Sequence, residues 1–437
     1  MSLQSLYNFF NQRFLIIIFI LFFINISYLQ SGWVTQQSFT TQYLYSVYFA
    51  GSNTGWVCGQ GGTILKTTNS GTNWYPQLSN TSDFLYDIFF IDANTGWVVG
   101  QNGVIRKTTN GGNNWFAQSC GYTSYIYAIE FTDINTGYLC GSSGIIYKTI
   151  NGGSNWTSQI SNVTNTLSCM CFPVSSTGMT GYLSGGTATA GVVLKTNNAG
   201  LNWTVLTNTG TNWLFGIHFT DVMTGCAVGY NGTILYTTNG GTNWISQNSG
   251  TTNRLVSVYF VDSNTGWAVG YGGIIIKTTN AGVNWFSQAS TTTNNLWGVY
   301  FSDANSGWAA GWNGTILHTT NGGVTGINTI STGLPENYKL YQNYPNPFNS
   351  QTIIRFRIPL PPLSPPFNKG GKATAGGLTT LIIYDITGRE IQTLVNEQLS
   401  PGTYEVMFEG SNLSSGIYFY KLESENFKEV KKLILQK

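Results

Sequence analysis

The stretch LYSVYFAGSNTGWVCGQGGTILKTTNSGTNW, residues 44–74, decides how this chain folds. It holds short runs of β-branched and aromatic residues, LYSVYF, GWVCG and TILKT, and leads into a further run that begins at Trp74. Gly, Asn, Ser and Thr separate the runs, and these residues turn a chain tightly between strands. The pattern is that of a four-stranded antiparallel sheet.

The phrase occurs seven times. The Trp that closes it stands at Trp74, Trp115, Trp156, Trp203, Trp244 and Trp285, with steps of 41, 41, 47, 41 and 41 residues. The long step carries six extra residues, three each in STGMTGY and GGTATAG of the fourth unit. One small sheet cannot bury both of its faces. Stacking such sheets around an axis does, and a period of about 40 residues with four strands is the signature of a β-propeller. One period before Trp74 stands Trp33, whereas one period after Trp285 stands Gly326. The last unit therefore lacks a Trp strand, and the N-terminal segment has one to spare. The expectation is an all-β fold: a seven-bladed propeller over residues 32–326, closed by its N-terminal strand and left with no open edge.

Composition agrees with this pattern. A chain of 437 residues is too long for one ordinary small domain. Charged residues are 8% of it, far below the usual quarter or so, which excludes coiled coils and long solvated helices. Aromatic residues at 15% exclude charge-driven disorder, and a net charge of +2 gives no argument for a nucleic-acid partner. After Arg13, residues 14–24 form an unbroken apolar run, read with its flanks as an export signal over residues 1–31. Eleven residues fall short of the 18 or so that a membrane span needs, so no transmembrane anchor is expected after cleavage. The cysteines do not pair by pattern: Cys58 and Cys140 hold one repeat position in the first and third units, and Cys169 and Cys171 lie two apart. They read as buried free thiols, with no metal or cofactor expected.

The recurring T-x-N-x-G with its terminal Trp resembles the Asp-box, or bacterial neuraminidase repeat, and the whole unit resembles the propeller of photosystem II stability and assembly factors over residues 33–323. The box aspartate is Asn in every copy, at Asn69, Asn110, Asn151, Asn198, Asn239, Asn280 and Asn321. Asn still closes an Asx-turn between the third and fourth strands, so the box reads as a turn device. A sialidase reading would require an arginine cluster, and the ring has only Arg106 and Arg254. Other glycosidases need two carboxylates across the scissile bond. Asp92, Asp133, Asp221, Asp262 and Asp303 all stand two residues after the strand-one Phe and read as turn residues. Asp87 and Glu130, on inner strands of adjacent units, are the remaining acid pair, and a glycoside hydrolase or carbohydrate-active propeller is kept as the alternative. His218 and His318 occupy different repeat positions and support no triad.

Recognition is expected where the units differ. Trp213, Trp297 and Trp312 are the tryptophans outside the two repeat positions. Six residues before the strand-one Phe and in the loop between strands two and three, the units present Tyr43, Phe84, Tyr125, Trp213, Tyr230, Tyr271 and Trp312, with Arg254 as the one charged group. These loops should open on one face around the channel mouth, as a non-catalytic binding surface for a glycan or an extended peptide. The resemblance to photosystem assembly factors implies an arginine-rich surface, which two ring arginines do not make; that role is the second alternative.

After a linker at residues 327–336 the character changes. Residues 337–437 alternate like strands at short spacing and read as an immunoglobulin-like β-sandwich. YPNPFN (344–349), GREIQTL (388–394), SGIYFYKL (415–422) and KKLILQK (431–437) occur in an order that resembles the type A C-terminal sorting domain of the type IX secretion system. The resemblance implies type IX secretion machinery as a partner, and export to the outer-membrane surface or the medium of a bacterium. Residues 359–377, rich in Pro and Gly, read as a low-complexity insertion.

Overall fold

The computed structural model describes residues 32–206, 212–283, 285–323, 328–331, 335–359, 378–399, 401–410, 413–425 and 427–437. The expected export signal and residues 360–377 of the insertion lie outside the described residues.

Residues 44–77 form the four strands expected of them: Leu44–Ala50, Thr54–Gly59, Ile64–Thr67 and Tyr75–Gln77, hydrogen-bonded in that order. Five further sheets repeat the plan, with inner strands Leu85–Phe90, Ile126–Phe131, Thr166–Cys171, Leu214–Phe219 and Leu255–Phe260. A seventh sheet holds Leu296–Phe301, Gly307–Gly311 and Ile316–Thr319, and its outer strand is Val34–Gln36 from the start of the described chain. Val34 lies opposite His318 and Gln36 opposite Ile316. The inner strands neighbour one another in a closed cycle, with Leu44–Ala50 between Leu85–Phe90 and Leu296–Phe301.

The repeated residues explain the stacking. The Phe at the end of each strand one is held on two sides. In six of the seven its face lies on an aromatic ring from strand two of the preceding sheet, as in Trp56–Phe90, Trp97–Phe131 and Trp267–Phe301, each at 3.5 Å; Phe260 has Cys226 there instead. Its edge meets the terminal Trp of its own sheet, as in Phe90–Trp115 at 5.9 Å. Both contacts recur across the closure, where Trp308 stacks on Phe49 at 3.6 Å and Trp33 meets Phe301 at 5.6 Å. The Gly that opens strand two makes room for this Phe, since a Cβ at Gly96 would lie 2.5 Å from the Phe90 ring.

Each Asn box then serves two ends. Asn110 Oδ1 accepts from Thr108 Oγ1 at 3.0 Å and from Asn114 N at 2.9 Å, while Thr108 Oγ1 accepts from Gly112 N. The turn so fixed presents a carbonyl to the preceding sheet. Gly152 O accepts from Trp97 Nε1 at 3.3 Å and from Lys107 Nζ at 3.0 Å, and that Lys also lies over the Trp97 ring at 4.9 Å. A cation over an indole contributes about 0.5–2 kcal/mol, so the sparse lysines of the ring act as sheet-to-sheet ties. The repeated aspartates are turn residues as read: Asp92 Oδ1 accepts from Asn94 N and Thr95 N, both at 2.7 Å.

The C-terminal residues form two further four-stranded sheets. One runs Asn328–Ser331, Gly402–Glu409, Gln351–Ile358, Lys339–Leu340, and the other Glu390–Gln398, Leu378–Tyr384, Gly416–Ser424, Phe427–Leu435. Asn328–Ser331 falls in the stretch expected to be linker and is a strand because it pairs with residues 403–405. Thr352, Ile354, Phe356 and Ile358 alternate inward, and the last three join a core with Leu381, Ile383, Tyr420 and Leu433 from the other sheet. The YPNPFN segment is tied to the last strand: Phe348 N donates to Ile434 O at 2.9 Å and Ile434 N to Asn346 Oδ1 at 2.9 Å.

Candidate functional site

The two loop sets singled out in the sequence are brought together by the backbone. In six sheets the first residue of the strand two to three loop donates its N–H to the carbonyl of the residue preceding strand one: Gln60 to Tyr43, Gln101 to Phe84, Ser142 to Tyr125, Tyr230 to Trp213, Tyr271 to Arg254 and Trp312 to Asn295, at 2.8–3.1 Å. Both sets therefore sit at one end of the inner strands. Tyr43 stacks on Trp312 at 4.7 Å, and Tyr271 lies 6.1 Å from the same indole. Arg254 is enclosed by aromatic rings. Its guanidinium carbon lies 4.0 Å from the Tyr230 ring centroid, 4.5 Å from that of Tyr271 and 4.8 Å from that of Phe215. It donates to the hydroxyls of both tyrosines, reaching Tyr271 at 2.9 Å. Burial raises the pKa of Tyr271, and Arg254 opposes that shift. Trp213 stacks on Phe215 at 5.0 Å and donates to Ser168 Oγ at 2.7 Å. Phe84 meets Tyr45, and Tyr125, the most exposed of the set at 39%, meets Tyr86 and Tyr127.

Tyr43, Phe84, Trp213, Tyr230, Arg254 and Trp312 line a cavity of about 1280 Å³ that follows the inner strands; Tyr125 and Tyr271 are not among its lining residues and rest against neighbouring aromatic rings. The sequence reading missed the residues between these rings and the channel. Every inner strand carries a β-bulge near its start, at Leu44/Ser46 in the first sheet and at Leu296/Gly298 in the last. A bulge adds one residue to one strand and re-aims a side chain. The residues it releases include Tyr45, Tyr86, Tyr127, Phe215 and Trp297, while the Leu or Ile before each is fully buried. They join the mouth into a continuous surface: Tyr45 meets Tyr86 at 5.3 Å and Trp297 at 5.4 Å, and Trp297 meets Tyr271 at 5.9 Å. Burial, helped by Tyr43 and Tyr271, pushes the Tyr45 hydroxyl up to about 12.

Asp87 and Glu130 both reach the cavity, and each is committed to the next sheet. Asp87 accepts from Ser46 Oγ at 2.9 Å, Ile88 N at 2.9 Å and Ile129 N at 3.0 Å; Glu130 Oε1 accepts from Phe172 N at 3.1 Å. Cys171 does the same for the following pair of sheets, accepting from Phe219 N at 3.2 Å. The acid pair therefore has a structural role as a backbone anchor between sheets. All six cysteines are free thiols. Among the described residues, no group of three or more His, Cys, Asp or Glu is placed to hold a metal ion, and no helix is long and apolar enough to cross a membrane.

Residues 342–436 match the secretion system C-terminal sorting domain. Residues 26–119, 115–210 and 205–291 each match the family described as photosynthesis system II assembly factor YCF48. No curated protein matches the chain. Among solved structures, YCF48 bound to D1 peptide is 18% identical with a TM-score of 0.57, over 68% of this chain and 100% of that one. YCF48 from Cyanidioschyzon merolae is 20% identical with a TM-score of 0.57, over 66% and 98%. The WD40 β-propeller domain of Doa1 is 10% identical with a TM-score of 0.54, over 66% and 95%. Identities this low speak for a shared propeller-type fold alone, but the three family matches run without a gap through residues 26–291, more than half of the chain, and by them it belongs to the photosynthesis system II assembly factor YCF48 family.

Proposed function

We propose that this protein is an exported, non-catalytic binding protein, a seven-bladed propeller over residues 32–326 that holds an extended polypeptide segment across its aromatic mouth. The observation that carries the reading is the continuous surface of Tyr43, Tyr45, Trp297, Tyr271 and Trp312, with Arg254 set in it by two tyrosine hydroxyls. Flat rings with one fixed cation suit peptide planes and side chains, and they offer few of the polar groups that sugar hydroxyls need. The fold neighbour solved with a D1 peptide supports the same ligand class. Hydrolysis is disfavoured because Asp87 and Glu130 are engaged with backbone amides of the next sheet.

Residues 337–437 form, in this reading, an immunoglobulin-like sandwich that delivers the chain to the type IX secretion machinery, and residues 1–31 direct the first export step. The sorting-domain match at residues 342–436 supports that route. The ring arginines Arg106 and Arg254 give no basic face, so a photosystem role is not favoured. Probing the purified extracellular protein on paired peptide and glycan arrays tests the ligand class. Binding to extended peptides without glycan retention is expected; retention on glycans alone would replace the peptide reading.

A further inference from the structure

Beneath the mouth the cavity continues past the inner strands to the opposite face, where Thr220 and Asp262 line it. One residue before the strand-end Phe, the inner strands place Tyr48, Glu130, His218, Tyr259 and Tyr300 along this deeper stretch. The rings touch in sequence: Tyr48 to Tyr300 at 5.1 Å, Tyr300 to Tyr259 at 5.0 Å and Tyr259 to His218 at 4.8 Å. Glu130 lies near enough to Tyr48 to help raise its hydroxyl's pKa, after burial and Tyr300.

Two features of this tier are unmatched within the protein. Glu130 uses Oε1 for Phe172 N, and no hydrogen bond among the described residues reaches Oε2. His218 Nδ1 is shielded from solvent and has no hydrogen-bond partner. The ion pairs among the described residues all lie between Arg355 and Lys431, so neither Glu130 nor Asp87 is paired with a cation of the chain. Two carboxyl groups in one narrow lumen oppose each other's ionisation, and a cation between protein walls relieves both that repulsion and the loss of water. Aromatic cages beside a carboxylate favour ammonium and guanidinium groups over neutral ones.

We propose that this deeper tier is a binding site for an organic cation, an alkylammonium or guanidinium group, taken by the Glu130 carboxylate among the rings of Tyr48, Tyr259 and Tyr300. His218, which burial keeps neutral with a pKa lowered to about 4, supplies Nδ1 as a further polar contact. The source of the cation is a basic side chain of the polypeptide held at the mouth, and this assignment of source alone rests on the function proposed above.

The test uses the full-length exported protein and two small probes, n-butylammonium and n-butanol, titrated by saturation-transfer NMR at pH 9, where Glu130, pushed up to about 8, is ionised and the amine is still protonated. The ammonium is expected to bind at least tenfold more tightly than the alcohol. Glu130→Gln, whose amide oxygen still accepts from Phe172 N, is expected to abolish that preference. Equal affinity for the two probes, or a preference that survives Glu130→Gln, overturns the proposal. Neither probe can span the mouth, so peptide binding that persists while the ammonium preference is absent would refute this site and leave the mouth reading intact.

Discussion

Along each inner strand, the side chains that face neighbouring sheets and those that face the channel follow opposite rules. The sheet-facing set is nearly invariant: a Leu or Ile fully buried near the start, and a Phe five residues on, at or next to the strand end, in all seven sheets. The channel-facing set changes from Tyr45 to Ser168 to Val256 to Trp297 at one and the same bulge position. The same kind of contact, repeated at nearly every interface, lets seven sheets close with one geometry. Freed from that demand, the lumen differs wall by wall, with carboxyls and thiols over part of its circuit and aromatic rings over the rest.

The comparison is most strongly tested at the strand-end Phe. Phe90→Ala removes a ring held by Trp56 and Trp115 and is expected to cost about 3–5 kcal/mol in denaturant unfolding. Phe260 has Cys226 where Phe90 has Trp56, so Phe260→Ala should cost less; equal losses would show that the stacked pair is not what ties the sheets.

A smaller and pH-dependent effect is expected in the lumen. Burial, opposed by the Phe172 amide and reinforced by Asp87, pushes Glu130 up to about 8. The carboxyls of Glu130 and Asp87, with Cys169, Cys171, Tyr48 and His218 around them, share the cavity. A carboxyl raised on folding contributes no penalty below its unfolded pKa near 4.5, and it destabilises the fold increasingly as pH rises toward 8. Glu130→Gln should therefore raise Tm at pH 8.5 and leave it nearly unchanged at pH 4. A Tm gain of the same size at both values would mean that ionisation is not the cause.

Smaller again, Asn110→Ala removes the acceptor for Thr108 Oγ1 and Asn114 N and is expected to cost about 1 kcal/mol. A similar loss for Asn239→Ala, whose Oδ1 accepts from Thr237 Oγ1 and Asn243 N, would show that the box acts alike around the ring.

Much of this was legible from one phrase. Seven copies, the missing Trp strand at one end and the surplus Trp33 at the other point to the pairing that Val34–Gln36 makes with Ile316–Thr319. The inner tier of the site was not legible, for a physical reason. Strand alternation counted back from Phe49 puts Val47 and Tyr45 on the same face, which would bury Tyr45 in the sheet interface. The bulge shifts the phase by one residue, so Leu44 takes the core position and Tyr45 turns to the channel. The signal was present as a Leu or Ile five residues before each Phe, out of phase with the other core positions. The anchoring of Asp87 and Glu130 to amides of the next sheet depends on how neighbouring sheets stagger, which no single repeat encodes.

The central claim is that the divergent mouth binds while the invariant shell only supports it. Its most direct test is the paired variant Trp213→Ala, Trp312→Ala, measured for peptide affinity and for Tm on the same preparation. The account predicts a loss of affinity of at least tenfold with stability lowered by only about 1–2 kcal/mol, because both indoles are partly exposed and neither belongs to the buried cores between the sheets. Unchanged peptide affinity in a folded double variant would contradict it.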